Sequence, residues 1–229
     1  MPTTLITGAS RGIGLELCRQ YAADGWTVHA CCRRPDEAAE LRRLSAGGRV
    51  VLHELDVTDG RQIDAVAASL DGAPIDLLVN NAGVYGKPDG GFGAIDDRVW
   101  LYTLKVNTLA PLHVSEALAG NVAKSERRII AVMTSRMGSI DDNTSGGSYI
   151  YRSSKAAVNM VVRSMAVDLA KRGITAVVLH PGWVRTDMGG ASAPLPVEQS
   201  VSGLREVLAR LRPEDSGRFF AWDGAEIPW

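Results

Sequence analysis

Read from the N-terminus, the chain alternates between short runs of apolar residues and longer stretches whose apolar positions recur every three or four residues. The short runs have the length of strands, and the long ones have the period of helices that bury one face. Strands are expected at Thr4–Thr7, Thr27–Cys32, Arg49–Leu55, Ile75–Asn80, Arg128–Thr134, Thr175–His180 and Arg218–Ala221. Helices are expected at Gly12–Asp24, Asp36–Ala46, Gly60–Leu70, Asp97–Leu118, Tyr149–Lys171 and Val197–Leu211. The last has the clearest pattern: directly after Pro196, the residues Val197, Val201, Leu204, Leu208 and Leu211 mark one face. Strands that alternate with helices describe βαβ units, hence a parallel sheet covered on both sides. The expected class is therefore α/β: a doubly wound, Rossmann-type, seven-stranded parallel sheet with helices on both faces, in a single domain spanning residues 1–229. Stretches rich in Gly and Pro at Tyr85–Gly93 and Gly189–Pro196 fall between elements and read as loops that rim a site. The second belongs to a substrate-side loop near residues 183–197.

Composition narrows the function. Of 229 residues, 45% are hydrophobic and 22% charged, enough apolar material for one large core. The formal net charge of −1 provides no overall attraction to nucleic acid or an anionic membrane, so the expected partner is a small molecule. No stretch approaches the roughly 18 apolar residues of a spanning helix, and Met1–Gly8 has no basic, leader-like character, which points to the cytoplasm. Cys18, Cys31 and Cys32 have no metal spacing and read as reduced thiols packed in the core. His29, His53, His113 and His180 show no ligand spacing either, and no metal site is expected.

Thr7-Gly8-Ala9-Ser10-Arg11-Gly12-Ile13-Gly14 follows the first strand directly and opens the first helix. Glycines there allow a tight turn and close backbone approach to a diphosphate, while the helix N-terminus offers free N–H groups to the anion. Gly8-Ala9-Ser10-Arg11-Gly12 also fits the spacing of a hydrolase nucleophile elbow. Only seven residues precede Gly8, too few to supply an upstream oxyanion loop. About 20 residues further on, where an NAD-binding chain would carry an acidic residue for the ribose hydroxyl, stand Cys31-Cys32-Arg33-Arg34. Guanidinium groups in that place favour a 2′-phosphate, and Arg11 is near enough in the turn to add another, so NADP(H) is expected over NAD(H). Asp36 and Glu37, after Pro35, fit the first turn of a helix rather than a ribose contact.

Tyr151 and Lys155 stand four residues apart on one face of a helix. An ammonium beside a phenol is expected to stabilise the phenolate and bring the tyrosine toward the working pH range. Tyr151 can then exchange a proton with a substrate oxygen. Asn107 sits in an otherwise apolar helical pattern where its amide competes with backbone bonds. Either a local distortion before Pro111 or a role in a site would offset that.

Taken together, Thr7-Gly8-x-x-x-Gly12-Ile13-Gly14, Asn80-Asn81-Ala82-Gly83 and Tyr151-x-x-x-Lys155 occur in the order of the short-chain dehydrogenase/reductase family, which the chain resembles along essentially its whole length. The segments Gly146–Lys155, His180–Gly190 and Trp222–Trp229 resemble the branch of C-factor-like proteins and sniffer-type carbonyl reductases. The resemblance implies an oxidoreductase that moves a hydride between NADP(H) and a carbonyl or alcohol, with Asn107, Ser135, Tyr151 and Lys155 as catalytic residues. It implies that Asn107 holds a structural water linked to Lys155. It also places Asp56 and Val57 at the adenine, Asn80, Asn81, Ala82 and Gly83 along the dinucleotide, and Pro181, Gly182, Val184 and Thr186 beside the nicotinamide. For the serine, Ser139 fits the usual count before the tyrosine better, but Ser135 ends a strand and begins Ser-x-x-Gly, so Ser135 is preferred. The polar stretch Asp141–Gly147 then reads as an insertion. The C-factor likeness leaves a second reading open, a dinucleotide-binding signalling module with little turnover. Tyr85, Trp100, Trp183 and Met188 are candidate walls for an apolar substrate. Met160, Val161, Val162 and Met165 exceed what one buried helix face needs, which suits a homodimer or homotetramer, as the family implies.

Overall fold

A computed structural model describes residues 1–86 and 90–229 of the chain. Seven strands, β1 Thr3–Thr7, β2 Thr27–Cys32, β3 Val50–Glu54, β4 Leu77–Asn80, β5 Ile129–Met133, β6 Thr175–His180 and β7 Phe219–Ala221, form one parallel sheet in the order β3-β2-β1-β4-β5-β6-β7. The sheet carries α1 Gly12–Ala23, α2 Ala39–Ser45, α3 Gly60–Ser69, α4 Asp97–Leu104, α5 Ala110–Ala123, α6 Tyr149–Asp168 and α7 Val197–Arg210. The register Leu5↔Leu78↔Ile130 and Ile6↔Val79↔Ala131 keeps side chains of equal phase on one face. Leu5, Leu78 and Ile130 bury one face with Leu118, Val122, Val158 and Val162, from α5 and α6. Ile6, Val79 and Ala131 bury the other with Leu17, Leu204 and Leu208, from α1 and α7. All three cysteines are free and buried. Strand order reverses between β1 and β4, which opens a crevice at their carboxyl ends.

The departures from the expected elements have local causes. Pro35–Glu37 forms a 3-10 turn and α2 begins only at Ala39, so Asp36 and Glu37 precede the helix instead of opening it. The helix expected at Asp97–Leu118 runs on to Ala123, with a π turn over Lys105–Leu109. Pro111 has no N–H to return to the Asn107 carbonyl, and the ladder widens there. Val162 and Met165 are core residues and Val161 packs against the core, whereas Met160 stays exposed. Of the expected loop Tyr85–Gly93, residues 87–89 lie outside the described residues. Among the described residues, no helix is long and apolar enough to cross a membrane.

Burial keeps three histidines neutral. His29 and His180 are pushed down to about 4, and His53 is lowered as well. His29 Nδ1 and His53 Nε2 lie 2.9 Å apart and share one proton across β2 and β3, while His180 Nδ1 is buried without a hydrogen-bond partner. The unfolded chain takes up these protons near pH 6.5, and the folded chain only near 4. Stability is thus complete above about pH 6.5 and declines as the pH falls toward 4. The Tm should drop by roughly 5–10 °C across that window, and His29→Gln with His53→Gln should flatten the fall. An equally steep acid slope in the double variant would refute this assignment.

Candidate active site

The crevice at the β1/β4 switch point has a volume of about 470 Å³, within the usual range for small-molecule sites. Its floor is the glycine turn. Gly8 adopts φ +67° and packs so closely on Ala82 that a Cβ would lie 2.9 Å from the Ala82 Cα. The turn is clamped from β4: Asn81 and Ala82 donate their backbone N–H to Thr7 Oγ1 at 3.0 and 3.1 Å. Asn81 Nδ2 returns bonds to the Thr7 and Gly8 carbonyls at 3.0 and 3.2 Å. Thr7, to which sequence reasoning gave no role, is thus the hinge of the floor, and its only signal was a hydroxyl at the last position of the first strand. At the start of α1, Arg11 in the capping position makes no side-chain cap, and the first turn holds no acidic residue. The N–H groups there remain free for an anion, and this uncapped helix start above a glycine floor fits a diphosphate.

The other expected contacts divide. Ser10, Arg11, Gly12, Ile13, Gly14, Arg33, Asp56, Val57, Asn81, Ala82, Gly83, Pro181 and Thr186 line the crevice, joined by Cys32, Leu55, Val106 and Arg185. Four expected residues do not. Asn80 is buried and donates from Nδ2 to Ser115 Oγ at 3.0 Å, tying β4 to α5. Arg34 turns out to solvent and pairs with Glu37 at 2.8 Å, leaving Arg33 as the cation at the strand end. Gly182 is wedged against Leu195 and Trp222, and Val184 is buried in a bridge to Leu195; both shape the wall from behind. Arg11 meets Asp187 at 3.0 Å across the mouth of the crevice, though both side chains are some three-quarters exposed. Partial burial would raise the Asp56 carboxyl, but the N–H and hydroxyl of Thr58, with Arg33 and Lys105 nearby, hold it below its ordinary value.

At the crevice's other end Tyr151 and Lys155 emerge from the first turns of α6, both buried. Ser135, just after β5, stands near enough to Tyr151 for its hydroxyl to favour the phenolate, and it caps the 3-10 turn Arg136–Gly138 by accepting from Met137 N at 3.2 Å. Gly138 lets that turn touch α6, since a Cβ there would lie 2.7 Å from the Lys155 carbonyl carbon. Ser139 instead donates to the carbonyl of Trp229 at 3.2 Å and anchors the C-terminus. Asn159, one turn beyond Lys155, accepts from Thr134 Oγ1 at 2.6 Å and locks α6 to the end of β5. Asn107, within the π turn, spends its side chain on Val84, accepting from Val84 N at 2.9 Å and donating to Val84 O at 2.8 Å; it also donates to Ser154 Oγ at 3.0 Å. Of the expected walls, Met188 lines the crevice, Trp183 is mostly exposed, and Trp100 ties α4 to α6 by a bond to Ser153 Oγ at 2.8 Å.

The electrostatics reverse one expectation. Burial raises the Tyr151 phenol to about 12, a rise that the Ser135 hydroxyl opposes and nearby Tyr85 reinforces. Lys155 is itself pushed down to about 8 by burial and gives a hydrogen bond to the Met133 carbonyl at 2.8 Å. Desolvation thus outweighs the ammonium, and the phenol keeps its proton at neutral pH. A phenol in that state can donate a proton, and it stands near a second hydroxyl at the end of the crevice.

Residues 2–194 match the family model described as short chain dehydrogenase. The C-signal of Myxococcus xanthus is 48% identical over 165 residues, covering 72% of this chain and 99% of that protein. Among solved structures, the NADPH-bound carbonyl reductase from chicken fatty liver superposes with a TM-score of 0.94 at 35% identity, covering 100% of this chain and 99% of that one. The carbonyl reductase Sniffer of D. melanogaster gives 0.94 at 33% identity, with both chains fully covered.

Proposed function

The chain belongs to the short-chain dehydrogenase family, and on that premise we propose that it is an NADP(H)-dependent reductase of carbonyl compounds, working on alcohols in reverse. What carries this reading is the protonated Tyr151 hydroxyl at the inner end of the crevice, with the Ser135 hydroxyl acting on it and Lys155 one turn along the same helix. The dinucleotide, when bound, supplies the hydride. Gly8, Gly12, Gly14 and the start of α1 hold its diphosphate, Arg33 and Arg11 its 2′-phosphate, Asp56 and Val57 its adenine, and Thr186 its nicotinamide end. Ser135 and Tyr151 donate to the carbonyl oxygen, and Tyr151 releases its proton to that oxygen as negative charge develops. Lys155, cationic and buried, steadies the phenolate that remains and fixes the nicotinamide ribose. We also propose a cytoplasmic homodimer or homotetramer, for which Leu101, Leu109, Met160 and Val167 leave apolar side chains in solvent.

Likeness to the C-signal supports a second reading, a dinucleotide-binding signalling module. Absorbance at 340 nm with a panel of aldehydes, ketones and quinones separates the two. The reductase reading expects turnover with NADPH at least about 10-fold more efficient than with NADH, and loss of that preference in Arg33→Ala. Tight NADPH binding without turnover would favour the module. A preference that survives Arg33→Ala would remove Arg33 from the 2′-phosphate.

A further inference from the structure

Tyr85, in the segment that follows β4, lies on the proton donor. Its ring stacks on Tyr151 with centroids 4.6 Å apart and planes inclined by 27°, and its hydroxyl is 3.3 Å from Ser148 Oγ, just before α6. The backbone on either side is held with unusual thoroughness for a loop. On one side, Asn107 grips both the N–H and the carbonyl of Val84. On the other, Gly86 adopts φ +77° and is wedged so tightly that a Cβ would lie 2.5 Å from Ile150 Cγ2 and 2.6 Å from Thr103 Oγ1. Ile150 is the residue before Tyr151, so the same contact that seats the loop also fixes it against the reacting helix turn. A side chain clamped at both flanks is pre-organised, and one laid on a phenol removes water from that face.

We propose that Tyr85 is a positioning residue for the proton donor: clamped by Asn107 through Val84 on one side and by Gly86 on the other, its ring keeps the Tyr151 phenol oriented and dry for carbonyl reduction. The proposal rests on the reductase reading. It assigns the Asn107 side chain a task that its position in the π turn explains: the amide reaches Tyr151 through the 84–86 segment. Among the described residues, the groups that act on Tyr151 are Ser135 from just after β5, Lys155 from its own helix and Tyr85 from the loop after β4. Of these, Ser135 favours the phenolate, while Tyr85 and burial favour the phenol. Taking the Tyr85 ring away admits water and lowers the pH at which Tyr151 loses its proton.

The test compares the parent with Tyr85→Leu and Tyr85→Phe, using NADPH and 9,10-phenanthrenequinone as the probe over pH 6–12.5. Tyr85→Leu should lower kcat by about 10- to 100-fold, hold the NADPH Kd within about 3-fold, and move the alkaline limb of the reduction profile down by about one pH unit. Tyr85→Phe keeps the ring and should recover most of the kcat and the parent's limb. A parental profile in Tyr85→Leu, or a Tyr85→Phe as impaired as Tyr85→Leu, would overturn the proposal. A second measurement needs no substrate and covers the case of a poorly folded variant or an inactive probe. In the NADP+ complex, the tyrosinate absorbance at 295 nm that disappears with Tyr151→Phe should develop at lower pH in Tyr85→Trp, whose larger ring cannot stack in the same clamp, and in Tyr85→Leu. If both variants titrate as the parent does, the stack does not govern the phenol; if they shift while no carbonyl is reduced, the reductase reading fails and the positioning role stands.

Discussion

Replacing Tyr151 by Phe should lower kcat/KM for carbonyl reduction by about 10³- to 10⁴-fold, while NADPH still binds within a few-fold of the parent. In barrier terms this is about 4–5.5 kcal/mol at about 1.4 kcal/mol per decade, the scale of a proton donor that acts chiefly as charge develops. The variant keeps what is structural about the residue. The ring still fills its buried position against Tyr85, and only the hydroxyl is lost. Binding should survive because the floor of the crevice is set by Thr7, Gly8 and Asn81, which are tied to one another rather than to Tyr151. Single-turnover NADPH oxidation at 340 nm, with a parallel fluorescence titration, separates the two quantities. A Phe variant that oxidised NADPH at near the parent's rate would shift proton donation to another group, and with it the proposed roles of Ser135 and Lys155. An equal loss of binding and turnover would make Tyr151 a ground-state contact instead.

How far the site was legible in the sequence depended on whether its residues are defined by local pattern or by tertiary contact. The strands were readable because each is a short apolar run, and burial on both faces leaves little freedom in where such a run can lie. Ser135 is preferred over Ser139 on one argument, that the end of a strand fixes a side chain better than distance along a loop; Ser139 turns to the C-terminal carbonyl. Arg33 and Arg34 could not be separated, because the identical charge and adjacent position conceal that one lines the crevice and the other pairs with Glu37. Trp100 looked like a wall and is a brace between α4 and α6. The direction of the Tyr151 shift was misread for a deeper reason: spacing on a helix reports the proximity of Lys155, whereas the desolvation that dominates belongs to the assembled fold. Tyr85 was readable only as an apolar candidate, since a tyrosine three residues past Ala82 shows nothing in sequence of the ring it will meet.

The second large effect is expected at Gly14, a position with no chemistry of its own. A Cβ there would lie 2.3 Å from the Gly8 carbonyl oxygen and 2.6 Å from Asn81 Nδ2. The nearer of these is a backbone atom at the centre of the turn, and the other is the amide that holds the turn through the Thr7 and Gly8 carbonyls. Neither can retreat without opening the floor, so Gly14→Ala forces α1 away from β1 and breaks the Asn81 clamp. The expected cost is about 2–4 kcal/mol of stability by analogy with overpacked cores, and NADPH affinity should fall by about 100-fold or more if, as proposed, the diphosphate rests on that turn. Gly60→Ala provides the control: it also stands at the start of a helix, after the Asp59 cap, and a Cβ there meets nothing within 4 Å. It should leave binding intact and raise the Tm slightly, since alanine loses less backbone freedom on folding. Thermal melts and NADPH titrations on both variants decide the matter, and a Gly14→Ala protein that bound NADPH like the parent would show that the nucleotide does not rest on the glycine floor. The contrast between the two glycines isolates the physical claim: close approach of α1 to β4 through Asn81, not the N-terminus of a helix in general, makes this crevice a dinucleotide site.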